Sequence, residues 1–360
     1  MTPHLLIVGS NSPHALESAY ERAFHQLGWS VSYWDPAAVL QKVARGGRVG
    51  RFMVDFLTVD PWIRKVNREF VLKAIEEKPT LILTFTHRQI RAGALAQIRA
   101  AVDTALVNIW PDTLVNWGTH HTANLPMYDL VATYSQQSVA QLQRLGASNV
   151  AWIPLAGDPD YHRPAAACTP EEAKQLGADI TFIGGWRPER EAVLTQLAQS
   201  SRYTVKIWGP EWGRRCKGNE IITSAWQGRP LFGHELATSV ANSRINLNII
   251  DPTNYPAANM RFFELAVIGG LQVCSPCPEM EDTFRHGEHV FYYRDTAELE
   301  AVVSSLLADE NHRQQVASAG QRLCLAAHTY THRASAILQR SLPRLAPAST
   351  LLPVDITTQV

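Results

Sequence analysis

Residues 178–199 read ADITFIGGWRPEREAVLTQLAQ. Ile180 to Ile183 is a short apolar run of β-forming residues, Gly184-Gly185 makes a tight turn, and Pro188 stands where it can open a helix running to about Gln199. A strand, a glycine turn and a helix in that order are the repeating piece of a βαβ unit. The rhythm continues towards the C-terminus. Strands are expected at Val205 to Trp208, Ile245 to Ile250, Leu271 to Cys274 and His289 to Tyr293. Helices are expected at Gly233 to Asn242, Asn259 to Ile268 (ended by Gly269-Gly270), Thr296 to Leu307 and Glu310 to His328. The N-terminal side shows the same alternation. His4 to Val8, Val31 to Trp34, Leu81 to Phe85, Ala105 to Trp110, Asp129 to Tyr134 and Val150 to Pro154 read as strands. His14 to Leu27, stopped by Gly28, and Phe70 to Glu77 read as helices. Near-continuous apolar strands separated by helices predict parallel sheets covered on both faces, an α/β class.

Residues 157–178, GDPDYHRPAAACTPEEAKQLGA, break this rhythm with three prolines and little apolar periodicity, and read as a linker with one short helix at most. The organisation expected is therefore a first domain at 1–156, a linker at 157–178 and a second domain at 179–335. A C-terminal helix and tail follow at 336–360, frayed from Ala346 onward, with residues near 328–345 packing back towards the first domain. Two such halves place a cleft between them. Ligands of open parallel sheets bind outside the carboxyl ends of the strands, so the residues that follow each strand become candidates.

The chain has 360 residues, which at about 150 per domain also gives two domains. Thirty-three basic and thirty-three acidic residues cancel, which argues against a dedicated nucleic-acid binder and against an acidic disordered chain. The start, MTPHLLIVGSNS, lacks a basic segment and a long enough apolar core for a signal peptide, and no apolar run is long enough to span a membrane. A soluble, cytoplasmic protein is expected. The five cysteines are scattered and odd in number, so they form no disulfide framework. Cys274 and Cys277 make a CxxC with no second pair at metal-ligand spacing, which reads as two small buried side chains. His120-His121 are adjacent rather than one helical turn apart, so no zinc site emerges. Asp158-Pro159-Asp160 is discounted as a metal-diphosphate motif because proline constrains it and it lies in the expected linker.

The stretch NMRFFELAVIGG, 259–270, carries the most chemical information. A helix this apolar should be buried, yet it holds one carboxylate, Glu264, which is costly unless donors satisfy it. One reading has Glu264 accept hydrogen bonds from a vicinal diol such as a ribose, with Arg261 and the free amides of the helix start holding a phosphate. The other is an i, i+3 pair of Arg261 with Glu264 on a helix side, with Asn259 as N-cap. Gly184 and Gly185 end a strand where backbone could approach a ligand, with Arg187 and Arg190 close behind. A loop glycine pair and solvated arginines are the alternative. Trp208 before Gly209 could stack on a nucleobase or fill a core. In the first half, Ser10, Asn11 and His14 follow the first strand, His87 and Arg88 the third, and Asp112 the fourth. Asp112 reads as a base towards an acceptor hydroxyl or as the cap of a turn after Pro111. Lys42, Arg45, Arg48 and Arg51, spaced by three, read as a solvated helix face or as a face for a polyanionic acceptor. There is no GxGxxG after the first strand and no GxxxxGK[ST] anywhere, so dehydrogenase and P-loop readings lose their main support.

Several of these pieces occur together, in order. They are DITFIG (179–184) with Arg190, KIWG (206–209), SRINLN (243–248) and N-x-R-x-F-E (259–264) with Gly269-Gly270. After them come F-x-x-G (284–287) and H-T-Y-x-x-R (328–333), while WPD (110–112), YDL (128–130) and PLA (154–156) lie in the first half. In this the chain resembles the glycosyl-transferase-like CgeB/YkvP spore-protein family, a branch of the GT-B glycosyltransferases, over nearly its whole length.

The resemblance implies a GT-B fold of two Rossmann-like α/β domains. It implies an enzyme that moves a sugar from a nucleotide-diphosphate sugar, UDP-hexose as the first guess, by a retaining route. The acceptor is left open among glycan, protein, small molecule and nucleic acid. Donor-binding residues would be Gly184, Gly185, Arg187, Arg190, Trp208, Gly209, Asn259, Arg261 and Glu264. Arg261, Asp112 and His87 would be the catalytic group, and Ser10, Asn11, His14 and Arg88 the acceptor side. Arg261, Arg190 and helix-start amides would stabilise the leaving diphosphate electrostatically, so no metal or other cofactor is expected. Many such enzymes carry two glutamates eight positions apart; Glu264 matches the second, and Pro256 stands where the first would fall. That departure supports a rival, a sugar-nucleotide-binding or structural protein of the same fold without catalysis. A second rival is a nucleotide-sugar epimerase of this fold.

Overall fold

The computed structural model describes residues 2–43, 60–85, 88–163, 168–200 and 202–342. The chain divides into two compact units. One runs to Pro154 and takes up the chain again from Tyr330; the other is Leu155–Thr329.

The first unit holds six parallel strands: β1 (His4–Val8), β2 (Ser30–Trp34), β3 (Leu81–Thr84), β4 (Ala105–Trp110), β5 (Leu130–Thr133) and β6 (Val150–Trp152). They lie in the order β2-β1-β3-β4-β5-β6. Leu5 to Val8 and Leu81 to Leu83 are fully buried, which is why these stretches are apolar in continuous runs rather than at alternate positions. Helices Leu16–Gln26, Asp60–Glu77, Ala92–Ala101 and Tyr330–Ser341 belong to this unit. The last is tied to the first, with the Tyr20 and Tyr330 rings edge to face at 5.2 Å.

The second unit holds β7 (Ile180–Ile183), β8 (Val205–Trp208), β9 (Ile245–Asn248), β10 (Gln272–Cys274) and β11 (Phe291–Tyr292), in the order β11-β10-β9-β7-β8, all parallel. Its core gathers Ile180, Phe182, Ile207, Ile245, Leu247 and Val273 from the strands with Leu194, Leu197, Leu299 and Val303 from the helices.

The expected order of strands matches in both halves, while the expected boundaries move. Residues 157–178 are part of the second unit rather than a linker. The amide of Gly157 donates to the carbonyl of His328 at 2.9 Å, and Thr169 and Glu172 form a reciprocal capping box around helix Pro170–Leu176. Prolines here shape a turn and open a helix, and that is what a composition count reads as a linker. The second boundary falls at Thr329/Tyr330 rather than after 335, because helix Tyr330–Ser341 completes the first unit. Helix Asp60–Glu77 begins ten residues before the expected Phe70. Helix Ala92–Ala101 (AGALAQIRAA) has too little polar contrast to show a face, and Gln137–Arg144, Glu220–Ala225 and Thr119–Asn124 are too short to show a period. The tail from 346 on lies outside the described residues, as do Arg45, Arg48 and Arg51.

Candidate functional site

In the second unit β7 lies between β8 and β9, so the chain leaves the carboxyl ends of β7 and β9 in diverging directions. Such a switch point opens a crevice in a parallel sheet. Here it is occupied by arginines. Arg261 donates from Nε to the carbonyl of Ile183, the last residue of β7, at 3.1 Å. Arg190 donates from Nη1 to Gly185 O at 2.8 Å and from Nε to Ile249 O, just past β9, at 3.0 Å. Arg187 donates from Nε to Asp251 Oδ2 at 2.6 Å. Burial, together with the charges of Arg187 and Arg261, holds the pKa of Arg190 below the ordinary arginine value against the pull of Asp251. Burial pushes the Asp251 carboxyl up, and the bonds from Arg187 and Thr253 more than offset it, leaving it below its usual value.

Helix Met260–Ile268 starts beside this cluster. Asn259 is its N-cap, accepting from the amide of Phe262 at 2.9 Å, and its side chain exchanges hydrogen bonds with Asn248 at the end of β9. Asn259 is thereby spent on the backbone and on Asn248, as the capping reading expects. No acidic residue stands in the first turn, so the positive end of the helix dipole is not neutralised locally. Glu264 sits one turn in and is 8% exposed. Its Oε2 lies 2.5 Å from Nη1 of Arg261, outside hydrogen-bond alignment, and that nitrogen makes no hydrogen bond among the described residues. The helix therefore has the Arg261–Glu264 pair and the Asn259 cap of the second reading.

A residue that sequence reasoning missed completes the pair. His162, 7% exposed, places Nε2 3.5 Å from Oε1 of Glu264. Burial holds its pKa below the usual histidine value; Glu264 and Asp158 pull it up, and Arg261 pulls it down. His162 comes from the stretch read as a linker, which approaches helix Met260–Ile268 closely at Gly157. A Cβ on Gly157 would meet Val267 Cβ at 2.7 Å and the carbonyl of Phe263 at 3.0 Å.

The glycines divide by role. Gly184 is bonded through its amide to Trp208 O at 2.8 Å and through its carbonyl to the indole of Trp212 at 2.9 Å. A Cβ on Gly185 would meet nothing nearer than Pro210 at 3.7 Å. Gly209 has φ +149, and a Cβ there would be driven into the carbonyl of Gly184. Trp208 corrects its stacking assignment. Its ring is 2% exposed with the Arg229 guanidinium 5.5 Å from its centroid, a core tryptophan with no open face for a base.

The first-unit candidates follow strand ends as expected but do not converge as one set. The Ser10 amide donates to Glu17 at 3.2 Å and its hydroxyl accepts from Ser12 at 3.3 Å. Asn11, His14 and Arg88 are exposed. Asp112 takes its turn-capping role: Oδ1 accepts from the Thr113 amide and Oδ2 from Asn116 Nδ2, both at 2.7 Å. His87 lies outside the described residues. Cys274 and Cys277 are fully buried, and burial together with Cys277 pushes the Cys274 thiol up, so the CxxC is core. Among the described residues no three His, Cys, Asp or Glu side chains gather as a metal set, and no helix is long and apolar enough to cross a membrane.

Residues 187–339 match a family model described as glycosyl transferase-like. No curated protein sequence matches the chain. Among solved structures, a glycosyltransferase from Rickettsia africae is similar at TM-score 0.66 and 11% identity, covering 97% of this chain and 100% of that one. Sucrose-phosphate synthase from Thermosynechococcus elongatus is similar at TM-score 0.63 and 15% identity, covering 94% and 98%. Anabaena HepE in complex with UDP is similar at TM-score 0.59 and 14% identity, covering 94% and 99%. The chain has the GT-B fold of glycosyltransferases.

Proposed function

We propose that this chain is a retaining glycosyltransferase, akin to the CgeB/YkvP-like branch, that takes a hexose from a nucleotide-diphosphate donor, UDP-hexose as the first choice. The observation that carries the reading is the Arg261–Glu264 pair at the switch point, a buried carboxylate beside a guanidinium at the start of a helix. A donor supplies what each lacks: the ribose diol gives O–H donors to Glu264, and the diphosphate accepts from Arg261 and from the amides of the helix start. The family match over 187–339 and the UDP held by HepE support the same reading.

In the reaction the bond between the anomeric carbon and the phosphate oxygen breaks, and a bond from that carbon to an acceptor hydroxyl oxygen forms on the same face. The hydroxyl proton passes to the departing phosphate oxygen. Negative charge grows on the leaving diphosphate, and a fixed cation beside it stabilises that charge more in the transition state than in the ground state. Arg261 takes that part, with Arg190 and Arg187 holding the surrounding loops. Ser10, Asn11, His14 and Arg88 remain the acceptor-side assignment, on the strand-end loops of the first unit.

Glu264→Gln keeps size and one acceptor but loses the charge. It should weaken binding of the nucleoside diphosphate by about 1–3 kcal/mol, as for a charged hydrogen bond, read by calorimetry. Unchanged affinity together with a large fall in melting temperature would make the helix purely structural and end the donor assignment. Because the charge on the diphosphate is met by guanidinium and amides, turnover should survive EDTA. Complete loss restored by manganese or magnesium would show that a metal carries that charge instead. Incubation with donor alone, expected to leave the sugar configuration intact, separates transfer from epimerisation.

A further inference from the structure

We propose that His162 is a positioning residue which, by fixing the Glu264 carboxylate, sets how strongly the site distinguishes a ribose from a 2′-deoxyribose. The inference rests on the assignment of Glu264 to the ribose diol. A neutral imidazole has one N–H. Nε2 is the nitrogen that faces Oε1 of Glu264, at 3.5 Å, and an N–H on Nε2 is the form in which the ring attracts that oxygen. Nδ1 is buried with no aligned hydrogen bond among the described residues, and the Asp158 backbone acts on the ring as an acceptor. A buried nitrogen without an aligned bond is a cost that an apolar side chain of similar size would not bring. The ring is therefore poorly explained by packing, and well explained by the carboxylate that its other nitrogen faces.

The placement is rigid because the backbone makes it. The amide of His162 donates to Asp158 O at 3.0 Å, and Oδ1 of the buried Asp158 accepts from the amides of Asp160 and Tyr161 at 3.2 and 3.1 Å. The Tyr161 ring packs edge-on at 4.9 Å. Oε2 of Glu264 lies against Arg261 and Oε1 against His162, so the carboxylate is flanked on both oxygens before any ligand arrives. Preorganisation of this kind sharpens discrimination between ligands that differ by one hydroxyl, because the acceptor cannot swing to a substitute partner.

The test is calorimetric and uses the full chain. Uridine, adenosine and guanosine diphosphates are compared, and the tightest is then measured against its 2′-deoxy form on the native protein and on E264Q, H162L, H162F and H162Q. The native protein should favour the ribose form by about tenfold or more, the value of one well-made hydrogen bond. E264Q should bring that ratio close to one. H162L and H162F, two apolar replacements of different shape, should cut it about fivefold, and H162Q, which restores an N–H donor, should recover most of it. General damage to the fold weakens both ligands alike and leaves the ratio untouched. A collapsed ratio in E264Q with a native ratio in H162L or H162F would overturn the role of His162 and leave the ribose assignment standing. A native ratio in E264Q, or no binding of any of the three diphosphates to the native protein, would overturn the ribose assignment and this inference with it.

Discussion

Arg261→Ala is expected to cost this protein twice, once in stability and once in ligand binding. The guanidinium meets Glu264, which is 8% exposed, and removing it strands a buried carboxylate. Breaking one side of a buried pair costs about 3–5 kcal/mol; Arg261 keeps 22% of its side-chain surface, so the lower end, about 3 kcal/mol, is the expectation. For a unit of this size that is a fall in melting temperature of about 6–12 °C. Binding should fall selectively. A nucleoside diphosphate should lose about a hundredfold in affinity, the value of a charge-assisted contact to phosphate, while the parent nucleoside should lose little. Calorimetry with uridine and UDP on the folded variant reads the difference. Equal losses for both would mean that Arg261 only supports the helix.

Gly209→Ala should be as damaging for a different reason. Gly209 has φ +149, a conformation in which side-chain-bearing residues are strained, and its Cβ would be driven into the carbonyl of Gly184. That carbonyl also accepts from Trp212, so it has no free direction in which to retreat. A loss of about 2–4 kcal/mol is expected by chemical denaturation, from strain and overpacking together. Since the displaced residue begins the Gly184-Gly185 turn, nucleotide affinity should go with it. Gly185→Ala is the contrast. Its Cβ finds ordinary contact with Pro210 at 3.7 Å, so stability should stay within about 0.5 kcal/mol while nucleotide affinity falls if backbone approaches the ligand there. A native-like Gly209→Ala would mean that the Gly184 turn adapts.

Much of the fold was legible because parallel strands buried on both faces write themselves as largely apolar runs. ITFI, ALVNIW and INLN are each buried at every position, with Thr181, Asn108, Asn246 and Asn248 as their polar members. Helices were less legible. Ala92–Ala101 is alanine-rich, and the short helices offer too few turns for a period to show. In the site, the local chemistry of 259–264 could be read, since Asn259, Arg261 and Glu264 are neighbours along one helix. The partners from elsewhere could not be: Asp251 against Arg187, Asn248 against Asn259, His162 against Glu264. Each joins segments whose meeting depends on a sheet order that no local pattern encodes. Trp208 turned out a core residue and Asp112 a turn cap, for a shared reason. A residue at the end of a strand can face the crevice or turn back into the protein, and strand position does not distinguish the two.

The first unit is interrupted in the chain by the whole of the second. On the first unit's side Arg333 donates to the carbonyl of Pro154 at 2.7 Å, and on the second unit's side Gly157 pairs with Thr329. The departing and returning segments thus run side by side, and the second unit begins and ends at neighbouring points. A ribosome delivers the chain N-terminus first, so every residue of the second unit has been made before helix Tyr330–Ser341 exists. The earlier-born half is the later one to be completed: Tyr20 waits for Tyr330 across nearly the full length of the polypeptide.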